Sequence, residues 1–406
     1  MESKSFNLAQ DELPSWINTT LGELTIQGKF LELSEFCEQV IQEYPNSIII
    51  WNNLGNAYRQ LQKFAEASNA FRKLLALNPT LSDGHSNLGA TFQDISAFNV
   101  AIECYKTAIC LDSNNLNAHY NMGLALKSQG KYRDAIICFN RALVLKNDFV
   151  EAHCNLADAY RCEGRLAEAK EAFNEAFSIQ PDNVFAKHML DALKGQKTKS
   201  PPEQFVEQLF DQYAPTFDYE LVEKLRYDLP ATLGTLIFDR ADGKVINSVL
   251  DMGCGTGLFG AEIRSFCQTL EGVDISKQML QVAKHKNIYD RLTHKNIRDF
   301  LSETELNYDY FVAADVFEYV GDLSEIFNLI GSKNQKRATL IFSTEHSETC
   351  EYRLENTGRY SHSKLYIEKL CCEFGYTLSH FEIIKLRKEM HSFLDGGVYI
   401  LESKVA

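Results

Sequence analysis

Tryptophan occurs only 2 times and proline 8 times in 406 residues, and with 22 glycines the chain excludes collagen-like and low-complexity architectures. Basic residues are scarce. Lys and Arg number 41 against 55 Asp and Glu, a net charge of -14, which leaves no basic footprint for a nucleic-acid backbone. No apolar run reaches the length of a bilayer span, and the opening residues MESKSFNLAQDELPSW hold no apolar signal core, so neither membrane insertion nor export is expected. The 11 cysteines are scattered and form no CxxC pair; they read as reduced thiols of a cytoplasmic protein. What is plentiful is core material: 45% of residues are apolar, enough for two or three packed domains at this length.

The first half repeats every 34 residues. Gly55, Gly89 and Gly123 recur at that step, with Ala157 at the next, and so do Ala67, Ala101, Ala135 and Ala169. Phe71, Tyr105, Phe139 and Phe173 follow the same register. Small residues on one helix let a second helix approach, and an aromatic fills the gap between them, so each unit is expected to be a helical hairpin. From Pro14 to Asn183 these residues resemble the tetratricopeptide repeat. Four full units are expected at 48–81, 82–115, 116–149 and 150–183, after a degenerate one marked by Gly28, Phe30 and Pro45, with Val184–Leu193 as a capping helix.

Two ladders run through the array. His85, His119 and His153 take the place that Trp51 holds one repeat earlier. Their spacing on successive packed helices, roughly 10 Å, is too wide for one metal ion, so they are read as packing groups and no metal is expected. Asn53, Asn87, Asn121 and Asn155 form the second ladder, whose amides can both donate to and accept from an extended peptide. Their other reading is as ordinary repeat residues. Repeats of this type hold proteins, so the resemblance implies a polypeptide partner.

The stretch KGQKTKSPPE, 194–203, is cationic and ends in two prolines, and the period of 34 stops there. The expected domains are therefore 14–197 and 198–406. In the second, β-rich runs at Val245–Asp251, Thr269–Asp274, Tyr308–Ala314 and Ala338–Ser343 alternate with helical stretches, the pattern of a doubly wound parallel sheet. Tyr376–Arg387 and Gly397–Ser403 have no helix between them and suggest a terminal antiparallel hairpin.

Ser248–Gly260, SVLDMGCGTGLFG, runs from a strand through a glycine-rich turn into a helix, which brings a ligand close to bare backbone. Gly255, Gly257 and Gly260 spell a dinucleotide fingerprint, while Asp251, Gly253, Gly255 and Gly257 spell DxGxGxG. Asp274, after the next strand, suits a ribose in either reading. Asp251 at the mouth of the turn favours the second reading, because a carboxylate repels pyrophosphate and suits a ligand bearing an ammonium and a sulfonium, as S-adenosylmethionine does.

These residues resemble those of class I S-adenosylmethionine-dependent methyltransferases. Further segments resemble a bacterial group in which tetratricopeptide repeats precede such a domain: Phe210–Pro230, Tyr308–Phe327 and Gly358–Tyr376. The resemblance implies an α-solenoid followed by a Rossmann-like domain with a mostly parallel seven-stranded sheet. It also implies that Asp251, Gly253, Gly255 and Gly257 cradle the methionine part and that Asp274 holds the ribose hydroxyls. Ile275 and Met279 would flank the adenine, with Asn296, beside Ile297, where the family has an adenine-binding Asp. Ala313 and Ala314 would pass the cofactor by backbone contact, and Tyr213 would close over it.

Methyl transfer needs alignment and dryness, and a base only where the acceptor keeps a proton of high pKa. Candidates at the carboxyl ends of the strands are Asp315, Glu318, Glu345 and His346, and in the insertion beyond them Arg353, Arg359, Tyr360 and His362. His362 is the expected base, since it titrates near neutrality, and the arginines suit an anionic acceptor. The preferred reading is O- or N-methylation of a polypeptide recruited by the array. Its rivals are a small-molecule methyltransferase with the array as scaffold, and an interaction protein that binds the cofactor without turnover.

Overall fold

The computed structural model describes residues 13–348, 351–389 and 392–403. Contacts divide the chain into two compact units, Met1–Pro181 and Asp182–Ala406.

The first unit is the expected array of hairpins: α1 (Ser15–Ile26) with α2 (Phe30–Val40), α3 (Ile48–Gln60) with α4 (Phe64–Leu77), α5 (Ser82–Asp94) with α6 (Phe98–Leu111), α7 (Leu116–Ser128) with α8 (Tyr132–Leu145), and α9 (Val150–Cys162) with α10 (Leu166–Ile179). The 34-residue register has its reason in packing. A Cβ placed on Gly55, Gly89 or Gly123 would lie 2.6 to 2.7 Å from the ring of Phe71, Tyr105 or Phe139, and those rings are fully buried. Each turn inside a hairpin carries one left-handed residue, at Gly28, Gln62, Ser96, Gly130 and Gly164, again 34 apart. The following residue donates its N–H to the carbonyl five back, as Lys63 does to Tyr58 at 2.8 Å, which closes the first helix of the pair.

The histidine ladder is explained by the turns between hairpins. His85, His119 and His153 each hydrogen-bond through Nε2 to the carbonyl six residues upstream, at 2.9, 3.0 and 2.9 Å. Trp51 donates its indole N–H to Pro45 O at 2.8 Å in the same way. A ring N–H tying helix to loop is what this repeat position supplies.

The second unit opens with α11 (Val184–Leu193), α12 (Glu203–Tyr213), the short α13 (Phe217–Tyr219) and α14 (Leu229–Arg240). Then follow β1 (Ile246–Met252), α15 (Leu258–Ile263), β2 (Cys267–Asp274), α16 (Lys277–His285), β3 (Arg291–His294), α17 (Ile297–Glu303), β4 (Tyr310–Ala313), α18 (Ser324–Lys333) and β5 (Thr339–His346). Last come β6 (Tyr352–Leu354), β7 (Tyr360–His362), α19 (Lys364–Phe374), β8 (Tyr376–Glu389) and β9 (Ser392–Ser403). The α11 helix, expected as the cap of the array, groups with this unit: His188 bonds Gly358 O at 2.8 Å and packs on Phe205 with ring centroids 4.7 Å apart.

The main sheet runs β3-β2-β1-β4-β5-β9-β8, with β9 antiparallel to β5 and β8 antiparallel to β9. The sheet is mostly parallel, as expected, but it has nine strands rather than seven, because β7 and β6 join it beside β5. Strand alternation builds two cores. Leu250, Met252, Phe311 and Phe342 pack with Phe327 and Ile367 on one face, while Val249, Val312 and Ile341 pack with Leu233 and Phe259 on the other. The hairpin β6–β7 was not anticipated. At Glu345, β5 pairs with Gly396 of β9 on one side and Ser361 of β7 on the other, so β7 occupies the edge that β4 leaves when it ends at Ala313. Strand order reverses between β1 and β4, and the crevice at their carboxyl ends is where a sheet of this kind binds ligands.

Candidate functional site

β1 ends in Asp251 and Met252, and the chain then turns through Gly253, Gly255 and Gly257, with φ of 72°, 52° and 89°. Gly253 needs both that conformation and its missing side chain: a Cβ would sit 2.7 Å from Cγ2 of Val316 in the loop after β4. Cys254 is a buried filler against Gly272, where a Cβ would lie 2.8 Å from its Sγ. Asp274, at the end of β2, accepts the Gly255 N–H on Oδ2 at 2.8 Å and the Ser276 N–H on Oδ1 at 2.7 Å. Each oxygen thus keeps a lone pair for a hydroxyl. Burial pushes the Asp274 carboxyl up to about 6, against the pull of those two N–H groups.

Asp251 is not at an open mouth but beneath the turn. It is buried and accepts the Tyr289 hydroxyl at 2.6 Å. Burial pushes it up to about 7, opposed by that hydrogen bond, while the Asp274 charge adds to the rise. Tyr289 also lines the back of the loop, for a Cβ on Gly260 would meet its hydroxyl oxygen at 2.4 Å. The bare turn, the two-oxygen cradle of Asp274 and the helix that starts at Leu258 fit an adenosyl ligand with a charged amino-acid tail.

The leading segment crosses this site on two carboxylate pins. Asp211 accepts from Ser276 Oγ at 2.6 Å and Gln278 N at 3.2 Å. Asp218 accepts from Thr256 Oγ1 and, at 2.7 Å, from Lys286 Nζ. Beside it, the Phe217 ring reaches 3.9 Å from where a Gly255 Cβ would lie, whereas Tyr213, the residue expected to close the site, ends α12 half exposed. Of the expected adenine neighbours, Ile275 is half-buried with its carbonyl bonded to His294 at 2.8 Å, and Met279 is fully buried. Asn296 caps α17 by accepting from Arg298 N, and donates to Glu203 at 2.7 Å. Ile297 starts that helix and packs on the core, while Ala313 is buried at the end of β4.

Beside the glycine turn, at the carboxyl ends of β4 and β5, stands a cluster that includes a residue not anticipated. Arg387 of β8 is 6% exposed; it donates through Nη1 to Asp315 and to Glu318 (3.2 Å), and through Nη2 to Glu345 (3.0 Å). Arg359 joins by donating to the same Glu345 oxygen. Burial alone would pull Arg387 down, but the three carboxylates outweigh it and raise it. Glu318 is driven well above its ordinary carboxyl value by burial first and by Asp315 next, with the Arg387 charge opposing the rise. Asp315 adopts φ 57°, a left-handed backbone that a non-glycine residue rarely takes. The buried Asp315 Oδ1 and Glu318 Oε2 have no hydrogen-bond partner among the described residues.

Asp315, Glu318, Glu345 and Arg359 are thus brought together, and Arg353, Tyr360 and His362 are not. His362 corrects the expectation of a general base. It is 0% exposed, its Nε2 bonds Gly321 O at 2.9 Å, and burial pushes it down to about 4. A neutral, enclosed ring tied to a carbonyl props β7. Tyr360 is also fully buried and shares a 2.5 Å bond with Thr198. Arg353 lies on β6 with its side chain 62% exposed, 3.7 Å from Glu355. The arginines expected to await an anion are matched by carboxylates of the chain itself.

In the array, Asn87 donates to Asn52 at 2.9 Å, Asn53 to Ile49 O at 2.8 Å, and Asn155 to Glu151 O at 2.8 Å while accepting from Lys127. Asn121 is half-buried on α7. No helix among the described residues is long and apolar enough to cross a membrane.

A sequence model of methyltransferase domains matches residues 200–380, and models of tetratricopeptide repeats match 48–81, 97–130, 123–161 and 150–183. A malonyl-[acyl-carrier protein] O-methyltransferase of Halalkalibacterium halodurans is 31% identical over 159 residues, 36% of this chain and 56% of that protein. A ubiquinone biosynthesis O-methyltransferase of Vibrio parahaemolyticus is 27% identical over 126 residues, 30% of this chain and 54% of that one. The chain therefore spans about half the length of the curated relatives it matches. Among solved structures, magnesium protoporphyrin IX methyltransferase of Synechocystis PCC 6803 with bound S-adenosylmethionine is 15% identical, with a TM-score of 0.39, covering 50% of this chain and 97% of that one.

Proposed function

We propose, from the premise that residues 200–380 are a methyltransferase domain and that 48–183 carry tetratricopeptide repeats, that this chain methylates an oxygen or nitrogen of a polypeptide that its array recruits. S-adenosylmethionine supplies the methyl group from its sulfonium. The observation that carries the reading is the meeting of two sites, with Val316 seated on Gly253 and Asp315 beside it in the arginine–carboxylate cluster.

Asp274 holds two ribose hydroxyls with the lone pairs its backbone donors leave. Gly253, Gly255 and Gly257 receive the methionine part, and Tyr289 keeps Asp251 and the turn in place from behind. Phe217 and the pinned leading segment exclude water, which sharpens every charge in the crevice. Asp315, held by Arg387 beside Glu318, takes up the acceptor's proton. Three carboxylates against two arginines suit an acceptor that donates a hydrogen bond, an O–H or N–H, better than a carboxylate. The polypeptide acceptor is supported by the tetratricopeptide repeats themselves, and a bound peptide would exchange the bonds that Asn53, Asn87 and Asn155 now make within the chain.

The test has two stages. Calorimetric titration with S-adenosylmethionine, S-adenosylhomocysteine and NAD should show binding of the first two and none of the third; binding of NAD alone would overturn the cofactor assignment. Labelled methyl groups should then enter protein rather than small molecules of an extract, and should do so far less with Asn87→Ala and Asn121→Ala together. Label found only in small molecules would favour the scaffold reading.

A further inference from the structure

The first unit has a cavity of about 730 Å³ among α2, α3 and α4, a size typical of a ligand pocket. Trp51, Leu54 and Tyr58 of α3 line it, with Glu35 and Glu38 of α2, Glu66 of α4 and a single cation, Lys73. On a helix turning 100° per residue, Trp51, Leu54 and Tyr58 share one face, and the ladder residue Asn53 lies on the opposite one. This pocket is therefore separate from the asparagine groove.

The array itself shows what such a pocket accepts. One repeat later, the residues matching Glu35, Glu38 and Glu66 are Asn69, Arg72 and Val100, and the one matching Tyr58 is Phe92. There the guanidinium of Arg72 lies 5.9 Å from the centroid of the Phe92 ring, so the chain fills that place with its own cation. In the first pocket the arginine is replaced by Glu38, which accepts the Tyr58 hydroxyl at 2.5 Å. An aromatic floor is kept, the arginine at that position is gone, and three carboxylates stand around the opening. Trp51, where later repeats have histidine, widens the aromatic surface, and Lys63 already stands 5.8 Å from the Tyr58 ring centroid.

We propose that this pocket binds an arginine side chain of a partner peptide, whose guanidinium takes the place that Arg72 fills one repeat on. Planar guanidinium groups stack on aromatic rings and bond carboxylates in a fork, which is what Trp51, Tyr58 and the glutamates present. The inference stands apart from the methyl-transfer reading, since it uses neither the second unit nor the asparagine ladder.

Trp16 and Trp51 are the two tryptophans, so Trp16→Phe leaves Trp51 as the sole reporter in the full chain. An acetylated, amidated pentapeptide with a central arginine should change Trp51 emission saturably. Its citrulline counterpart, which has the same shape without the charge, should not. Glu38→Gln with Glu66→Gln should weaken binding about tenfold. Glu38→Arg, which copies the next repeat, should abolish it with the circular dichroism unchanged, while Asn87→Ala with Asn121→Ala should leave it intact. The proposal falls if the citrulline peptide responds equally, if Glu38→Arg still binds, or if no saturable change appears by millimolar peptide. A response lost only in the asparagine variant would place the peptide on the ladder and would equally overturn it.

Discussion

Replacing Arg387 by methionine keeps much of the side-chain volume and removes the charge that three buried carboxylates share. Asp315, Glu318 and Glu345 all bond to this guanidinium, and their side chains are 11%, 2% and 5% exposed. Breaking a buried ionic group by deleting one partner costs about 3–5 kcal/mol, because the remaining charges stay desolvated. For a unit of this size that is a fall in Tm of about 6–20 °C. The loss depends on pH in a definite sense. Without Arg387 the buried carboxylates lose their counter-charge, so the penalty is largest at pH 8, where they are ionised, and shrinks as the pH falls and they take up protons. Thermal unfolding followed by near-ultraviolet circular dichroism at pH 8 and pH 5.5 measures both, and Glu345→Gln added to the variant should recover part of the stability. Both tryptophans lie in the first unit, so their emission follows the array separately. A fall below about 2 °C at pH 8, or an equal fall at both pH values, would refute the view that the cluster depends on this arginine.

Asp274→Ala should cost the cofactor two charge-assisted hydrogen bonds and weaken binding about a hundredfold or more in calorimetry. Asp251 and Asp274, lifted to about 7 and about 6 from 3.8, favour the protonated folded state. Their penalty is absent below about pH 4 and grows as pH rises through about 7. Asp251→Asn is therefore expected to match the parent chain near pH 4 and to be the more stable near pH 8 in urea unfolding. Gln62 and Ser96 hold the left-handed position that glycine takes in the other three hairpin turns, so Gln62→Gly and Ser96→Gly should each stabilise the array by about 1 kcal/mol, read from its Tm. Tyr289→Phe leaves Asp251 without this donor. It should destabilise the second unit by about 1–3 kcal/mol at pH 8 and less at pH 5, measured in the same way.

What could be read from sequence was what repeats or what lies close along the chain. The 34-residue step exposed the hairpins because one glycine–aromatic contact is remade in each. The glycine turn and Asp274 were legible because β1, the turn and β2 are contiguous. Even the turn position was partly visible, as Gly28, Gly130 and Gly164 keep the register. Arg387 was not, since it meets Asp315 from 72 positions away on a strand that shows only its β character. β3 escaped notice because Arg291–His294 has no apolar signature, with both ends exposed. His362 misled for a related reason: its type suggests a base, and only the packing of Tyr366 and Gly321 around it shows a ring shut away from solvent.

The grouping of α11 with the second unit decides where the protein can be divided. A cut at the proline-rich stretch near 197, natural on composition, removes His188 from Gly358 and Phe205 and leaves an apolar scar where Ala192 meets Tyr360 and Leu354. A cut after Pro181 keeps that surface covered. Dissection of this protein thus follows its contacts rather than its repeat register, and a fragment beginning at Asp182 is the one suited to isolating the second unit.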